Sequence, residues 1–187
     1  MFIIPTPAGG FRKRCLLAGR SGSASSDLEF GDSVFPSSPT DDAFADLLTS
    51  SYQRVVGRRL LPGTVAAGDA SRWLYEEASF ALLAHDASPD PVFIYANRAA
   101  QQCFEYSWTE FIGMPSRLSA EQPNRDERQA FMNEVLRRGF VDHYQGLRIA
   151  RSGRRFRIEA ATVWNLIDVH DDLRGQAALV PRWTDIT

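Results

Sequence analysis

The hydrophobic and polar positions between residues 80 and 104 form blocks that predict a β-hairpin followed by a helix. The apolar run Phe80 to Ala84 stops at His85, and the turn-forming segment ASPDP follows shortly afterwards. The next run, Val92 to Tyr95, is β-branched and aromatic and is too short for a stable helix, which favours a strand. Asn97 ends this strand, and residues 98–102 favour a helix.

The second half of the chain predicts two further helices and then three strands. Ser107 and Glu110 have capping-box spacing for a short helix. A longer helix covers Arg125 to Arg138, with a cap at Asn124, a stop at Gly139 and an apolar face formed by Phe131, Met132, Val135 and Leu136.

The strand predictions follow from runs bounded by turn signals. The first strand is Phe140 to Ala150, followed by a hairpin turn at residues 151–154. In the next strand, successive residues alternate between a solvent-exposed face and a buried face. The buried face is formed by Phe156, Ile158, Ala160, Thr162 and Trp164. The last strand runs from Gln176 to Trp183. Five antiparallel strands with helices on one face predict an α+β domain.

Amphipathic helices are predicted in front of this core. After a cap at Thr40, apolar residues recur at helical spacing as far as Leu60, and Pro62-Gly63 end the pattern. A second helix is expected over Ala70 to Glu77. These helices can pack on the sheet of their own chain or pair with a second subunit. The expected organisation is an N-terminal segment (1–39), a helical extension (40–78) and a core (79–187).

The N-terminal segment is predicted to be disordered. Residues 1–26 contain no acidic side chain and are rich in serine, a composition typical of an organelle transit peptide; their basic residues are Arg12, Lys13, Arg14 and Arg20. A disordered tail or a misassigned start codon explains the same composition. A transit peptide would direct the protein to the chloroplast or another organelle, and otherwise we expect a cytoplasmic protein.

Charge and hydropathy exclude two classes of partner. Apart from residues 1–26, the chain has 17 basic and 23 acidic residues, which argues against nucleic-acid binding because phosphate contacts need a basic face. No run of 18 apolar residues predicts a membrane span. The two cysteines, Cys15 and Cys103, lie in different regions and do not suggest a disulfide framework.

The order of hairpin, "YAN", helices ending in "EFIG" and a terminal "DIT" resembles a PAS domain. Within that superfamily the chain is similar to the MEKHLA-domain family, through the segments FALLAHD, DPVFIYAN, FEYSW, MPSRLSAE, RDER, SGRRFRIE and WNLIDV. The resemblance covers roughly Ala43 to Thr187. It implies a PAS-like sensory or interaction module whose ligand is undefined, and it supplies no catalytic residues.

The residues themselves do not predict an enzyme or a cofactor. No G-x-S-x-G elbow, P-loop or dinucleotide fingerprint occurs, and the three histidines lack zinc-ligand spacing. His85-Asp86 could form an acid/base pair, although such a pair more often satisfies the backbone of a turn. The reactive cysteine of flavin-binding PAS relatives has no counterpart near Gly113, and the long helix has no haem-ligating histidine. We expect no cofactor and no metal.

Polar residues nevertheless gather where a PAS pocket would lie. Arginine forks and a helix amino terminus favour an anion such as a carboxylate or phosphate. The predicted ligand-binding set is Asn97, Arg117, Ser119, Asn124, Arg125, Arg128, Tyr144, Arg148, Trp164 and Asn165. Alternatively, Arg117, Arg125 and Arg128 pair with Glu121, Asp126 and Glu127 and fasten the loop.

The expected function is therefore a non-catalytic module that binds a small molecule, such as an anion, or a protein partner, as an adaptor-like sensor or a homodimer. Two alternatives remain open. One is a small enzyme that uses an arginine-rich pocket on an acidic metabolite. The other is a structural interaction domain with a filled core.

Overall fold

The computed structural model describes the backbone of residues 35–120 and 125–186, and their side chains except those of residue 67 and residues 125–128. The proposed transit peptide and the helix cap at Asn124 lie outside the described residues. The longer helices are α1 (Asp42–Val56), α3 (Arg98–Phe104), α4 (Trp108–Phe111) and α5 (Arg125–Arg138). Between α1 and the sheet, a short α2 (Ala70–Arg72) continues into a π-helical turn, Trp73–Glu77. No helix among the described residues is long and apolar enough to cross a bilayer.

The strands form one antiparallel sheet. They are β1 (Ala81–Asp86), β2 (Phe93–Ala96), β3 (Phe140–Ile149), β4 (Arg155–Ile167), β5 (Leu173–Val180) and β6 (Arg182–Asp185). The order across the sheet is β2-β1-β5-β4-β3, and β6 pairs with the first part of β4. The single final strand expected over 176–183 is therefore two strands, because Pro181 cannot donate a ladder hydrogen bond and interrupts the run.

Helices α3 and α4 cover one face of the sheet, which we call the inner face, as predicted. Their buried side chains, such as Cys103, Phe104 and Phe111, pack with Leu83, Phe156 and other sheet residues that define this inner face. The α+β class is confirmed by this arrangement.

Helix α1 covers the opposite, outer face. Its buried Phe44, Leu48 and Tyr52 pack with Leu82, Trp164 and other residues of the outer face. Of the two alternatives for the N-terminal helix, the structure has packing on the same chain. The helix begins one residue later than predicted, because Asp41 rather than Thr40 accepts the capping hydrogen bond from Phe44 N at 2.9 Å, and it ends earlier, at Gly57 with φ +77°.

Trp164 lies on the opposite face of the sheet from the one predicted, because the backbone is irregular at Ala160. Ala160 has φ +52°, and the β3–β4 register shifts on either side of Tyr144, which pairs with Ala161. The extra residue makes β4 exchange faces, as β-bulges do. Phe156 and Ile158 therefore face inward, whereas Thr162 and Trp164 face α1. Strict alternation along this strand was wrong beyond Ile158.

A cavity between the sheet and the long helix

The inner face of the sheet and α5 enclose a cavity of about 40 Å³, which has room for a few water-sized groups. Its walls are mostly apolar, with Phe93 and Phe104 on one side and Phe131 and Met132 of α5 on the other. Five polar side chains of the described residues also line it, namely His85, Ser119, Tyr144, Arg148 and Gln176. Apolar walls with a few convergent polar groups are the usual composition of a small-molecule site.

Among the described residues, Arg148 is the only arginine in the lining of this cavity, and only 8% of its surface is exposed. Its guanidinium donates to Leu147 O at 2.7 Å and to the Tyr144 hydroxyl at 3.4 Å, and it lies 5.6 Å from the centre of the Tyr144 ring. No carboxylate of the described residues forms an ion pair with it. Since a guanidinium has five N–H donors, Arg148 retains donors for a further acceptor. A buried charge without a counter-charge is costly, so this group favours an anion in the cavity.

Gly146 makes room for the guanidinium. It lies between Tyr144 and Arg148 on the same face of β3, and a Cβ atom there would lie 2.5 Å from the Tyr144 hydroxyl and 2.8 Å from Arg148 Nη1. Both atoms are the ends of flexible side chains, so a methyl group would displace them rather than the strand. The Tyr144 ring is fixed from above, because it stacks on Phe131 of α5 with centroids 3.8 Å apart.

A row of polar side chains crosses the inner face beside the cavity. Asn165, Gln176 and His85 are aligned on β4, β5 and β1. Gln176 donates to Asn165 Oδ1 at 3.0 Å and to the carbonyl of Met132 at 3.2 Å. Asn165 in turn donates to the carbonyl of Leu136 at 3.2 Å. These bonds fasten α5 to the sheet through its backbone.

A second cavity, which we call the vestibule, adjoins the first and has a volume of about 230 Å³. It lies between the β1–β2 turn, α5 and the start of β5. Its apolar lining includes Pro89, Leu136 and Leu173. His85, Met132 and Gln176 line both cavities and form the boundary between them.

The structure brings three of the predicted site residues to the inner cavity, namely Ser119, Tyr144 and Arg148. Asn165 lies beside the cavity in the polar row. Asn124, and the side chains of Arg125 and Arg128, lie outside the described residues. Trp164 does not reach the cavity, because the bulge at Ala160 turns it to the outer face.

Two further predicted site residues have other partners. Asn97 is fully buried, and its side chain accepts from Leu82 N and Ala100 N and donates to the carbonyls of Leu74 and Phe80. All its hydrogen-bonding groups are used in joining β1 to α3. Arg117 forms a two-bond ion pair with Asp90 at 3.0 Å on the surface, and Glu121, its predicted partner, lies outside the described residues. The expected convergence of Arg117 on the cavity is therefore not found.

Sequence reasoning missed Gln176 and Gly146. The sequence marks Gln176 only as the start of a strand. Its pairing with His85 and Asn165 in the sheet places it in the polar row. Gly146 could have been found from its position between Tyr144 and Arg148, two residues from each on one strand face. Phe131 and Met132 were predicted as an apolar face of α5, which is the face that closes the cavity.

The other titratable candidates, the His85-Asp86 pair and Cys103, lie in a turn and in the core. His85 Nδ1 lies 2.8 Å from the carbonyl of Asp86, while the Asp86 carboxylate accepts from Ser88 and from Val92 N. The Asp86 side chain therefore satisfies hydrogen-bonding groups of the turn, which is the alternative to an acid/base pair that the sequence left open. Cys103 is buried, and burial raises the pKa of its thiol to about 12. No group of three metal-ligating side chains occurs among the side chains that the structure describes.

Comparison with solved structures places this geometry in a known fold. The PAS domain of a protein from Colwellia psychrerythraea superposes with a TM-score of 0.52 at 14% identity, covering 62% of this chain and 93% of that one. An RNA-binding light-oxygen-voltage receptor superposes with a TM-score of 0.54 at 19% identity, covering 68% of this chain and 35% of that one. At these identities the likeness establishes the fold alone, which is PAS-like.

Comparison by sequence identifies the family. The homeobox-leucine zipper protein REVOLUTA of Arabidopsis thaliana is 22% identical over 143 residues, which are 76% of this chain. The chain spans only 17% of the length of that relative. The family model of the MEKHLA domain matches residues 42–185, which include α1 as well as the sheet and its helices. Since this match covers most of the chain, the protein belongs to the MEKHLA domain family.

Proposed function

We propose that this MEKHLA domain is a sensory module that binds a small anionic molecule in the inner cavity and catalyses no reaction. The observation that carries the proposal is Arg148, a buried cation whose described partners are a carbonyl and a hydroxyl. A bound carboxylate would supply the missing counter-charge through charge-assisted hydrogen bonds. The PAS-like fold of the family supports the sensory part of the proposal.

The structural effect of ligand binding would be transmitted to the protein surface through α5. Phe131 and Met132 close the cavity from above, so a ligand larger than a few atoms must displace at least Met132, which also borders the vestibule. The same helix is held by bonds from Gln176 to Met132 and from Asn165 to Leu136. Occupation of the cavity would therefore shift α5 and alter the surface that it presents to a protein partner. A ligand shifts such an equilibrium by its difference in affinity for the two positions of the helix.

Carboxylate binding to the full-length protein tests the proposal. Native mass spectrometry first shows whether purified protein retains a small molecule. Thermal-shift titrations with butyrate then compare wild type with Arg148→Gln, which removes the buried charge, and with Arg117→Gln, which removes an arginine outside the cavity. We expect butyrate to stabilise wild type and Arg117→Gln and to have at least tenfold lower affinity for Arg148→Gln.

Gly146→Ala provides a second variant if Arg148→Gln does not fold. It keeps the charge but displaces the guanidinium, so it should also weaken butyrate binding. Equal affinity of all four proteins for butyrate would overturn the assignment of Arg148. A cavity that binds no anion would favour the structural interaction domain, and turnover of an acidic metabolite would favour the enzyme.

A further inference from the structure

The two adjoining cavities define the shape of the ligand as well as its charge. We infer that the ligand is an amphipathic monocarboxylate, with its carboxylate at Arg148 and its aliphatic chain in the vestibule. This inference rests on the proposed function and specifies the class of molecule that the site would take.

The inner cavity has room for a head group only. Its volume of about 40 Å³ accommodates a few water-sized groups, whereas the vestibule offers about 230 Å³. Because His85, Met132 and Gln176 line both, a molecule that leaves the inner cavity between these side chains enters the vestibule directly. The pair of cavities therefore suits a ligand with a small head and a larger remainder.

The charges of the inner cavity favour a single negative charge. Among the described residues, Arg148 is the only arginine in the lining, which also includes Phe104, Ile158 and Val180. A dicarboxylate or a phosphate dianion would place a second charge against apolar side chains, at a large desolvation cost. Ser119 and Tyr144 add hydroxyl groups, which can bond to a carboxylate but do not offset another charge.

The lining of the vestibule suits an aliphatic chain. Leu136 and Leu173 are 52% and 37% exposed, respectively, and line the vestibule with Met132 and Pro89. The nearby carboxylate of Asp86 is occupied by Ser88 and Val92 N in the turn. A hydrocarbon chain would cover the two leucines and gain the usual free energy of apolar burial. At that free energy, each methylene group raises affinity about fourfold until the vestibule is filled.

A chain-length series on the full-length protein tests this inference. Isothermal titration with butyrate, hexanoate, octanoate and decanoate should show affinity rising about fourfold for each added methylene group. Decanol, which has the same chain without the charge, should bind at least tenfold more weakly than decanoate. The double variant Leu136→Gln/Leu173→Gln should flatten the chain-length dependence. Leu118→Gln, another exposed leucine that lines neither cavity, is the matched control.

The possible outcomes separate the two proposals. If the four acids bind equally and Arg148→Gln abolishes binding, the anion site stands and the amphipathic ligand is refuted. If decanol binds as tightly as decanoate, or Arg148→Gln binds decanoate as wild type does, the chain merely partitions into apolar surface and the inference fails. If no acid in the series binds, both proposals fail.

Discussion

Trp164 is fully buried between the sheet and α1. Its indole Nε1 donates to the Ser51 hydroxyl at 3.1 Å, and its ring meets Tyr52 edge-on with centroids 4.9 Å apart. The indole is the largest fully buried side chain of the outer face. Its N–H has a hydrogen-bond partner inside the core, as a buried tryptophan usually requires. This residue therefore joins α1 to β4 by packing and by a hydrogen bond.

We expect Trp164→Ala to lower the free energy of unfolding by about 3–5 kcal/mol, because the substitution leaves a large cavity beneath α1. Ser51→Ala should cost about 1–3 kcal/mol, since it leaves the indole N–H unpaired inside the protein. Urea unfolding followed by circular dichroism measures both. A Trp164→Ala protein with the stability of wild type would mean that the indole is not part of the core.

Individual positions of the candidate site differ in how far the sequence predicts them. Tyr144 and Arg148 line the same cavity because both lie on one strand face at a spacing of four residues. Arg117 was misplaced because its partner, Asp90, lies in the hairpin turn 27 residues earlier, and local pattern does not report such pairs. Asn97 was recognised as polar, but the four backbone groups around it come from three separate segments.

Among the elements, the order and type were largely predictable, since each has its own periodicity and end signals. Helix α5 has the predicted bounds, Arg125–Arg138, because Gly139 with φ +91° ends it as a C-terminal glycine does. The exchange of faces in β4 was not predictable. Alanine rarely has positive φ, so nothing in the local sequence marks Ala160 as the bulge.

Arg154, in the β3–β4 turn, links α3 and β6 at the other end of the sheet. Its guanidinium bonds to Glu105 at the end of α3, to Asp185 of β6 and to the carbonyl of Cys103. Glu105 also accepts from Ser152 N in the β3–β4 turn. The hydrogen bonds from Ser152, followed by those from Arg154, lower the pKa of Glu105 from 4.5 to about 2. The carboxylate form of Glu105 is thus favoured by the folded state.

The lowered pKa of Glu105 predicts that the stability of the fold depends on pH in the acidic range. A depressed pKa contributes stability that is complete above the ordinary pKa of 4.5 and is lost as the pH falls towards 2. We expect Glu105→Gln to reduce stability at pH 7 and to make the loss of stability between pH 5 and pH 2 shallower than in wild type. Thermal melts across this range measure the effect. Glu134→Gln, whose ion pair is with Arg138 of its own helix, is the control, and the same profile for both variants would refute the assignment.

At the scale of the whole molecule, the domain depends on α1 because the sheet needs cover on both faces. Without α1, the outer-face residues Leu82, Trp164 and Leu166, all fully buried in the folded chain, would meet water. The family match also begins at residue 42, where α1 begins. The helical extension and the core are accordingly expected to fold as one cooperative unit.

Two truncated proteins test this expectation. A chain that begins at Phe35 should unfold at the same temperature as full length, because residues 1–34 show no apolar periodicity in the sequence. A chain that begins at Gly63 lacks α1 and with it the burial of Phe44 and Leu48, each of which contributes roughly 1.5–3 kcal/mol. Because domains of this size have total stabilities of about 5–15 kcal/mol, and because the outer face is uncovered as well, we expect the shorter chain to unfold or to aggregate. A synthetic peptide with the sequence of α1, added in excess, should restore a cooperative melt to that chain. A chain from Gly63 that melts cooperatively at the wild-type temperature without the peptide would show that the inner core alone sustains the fold.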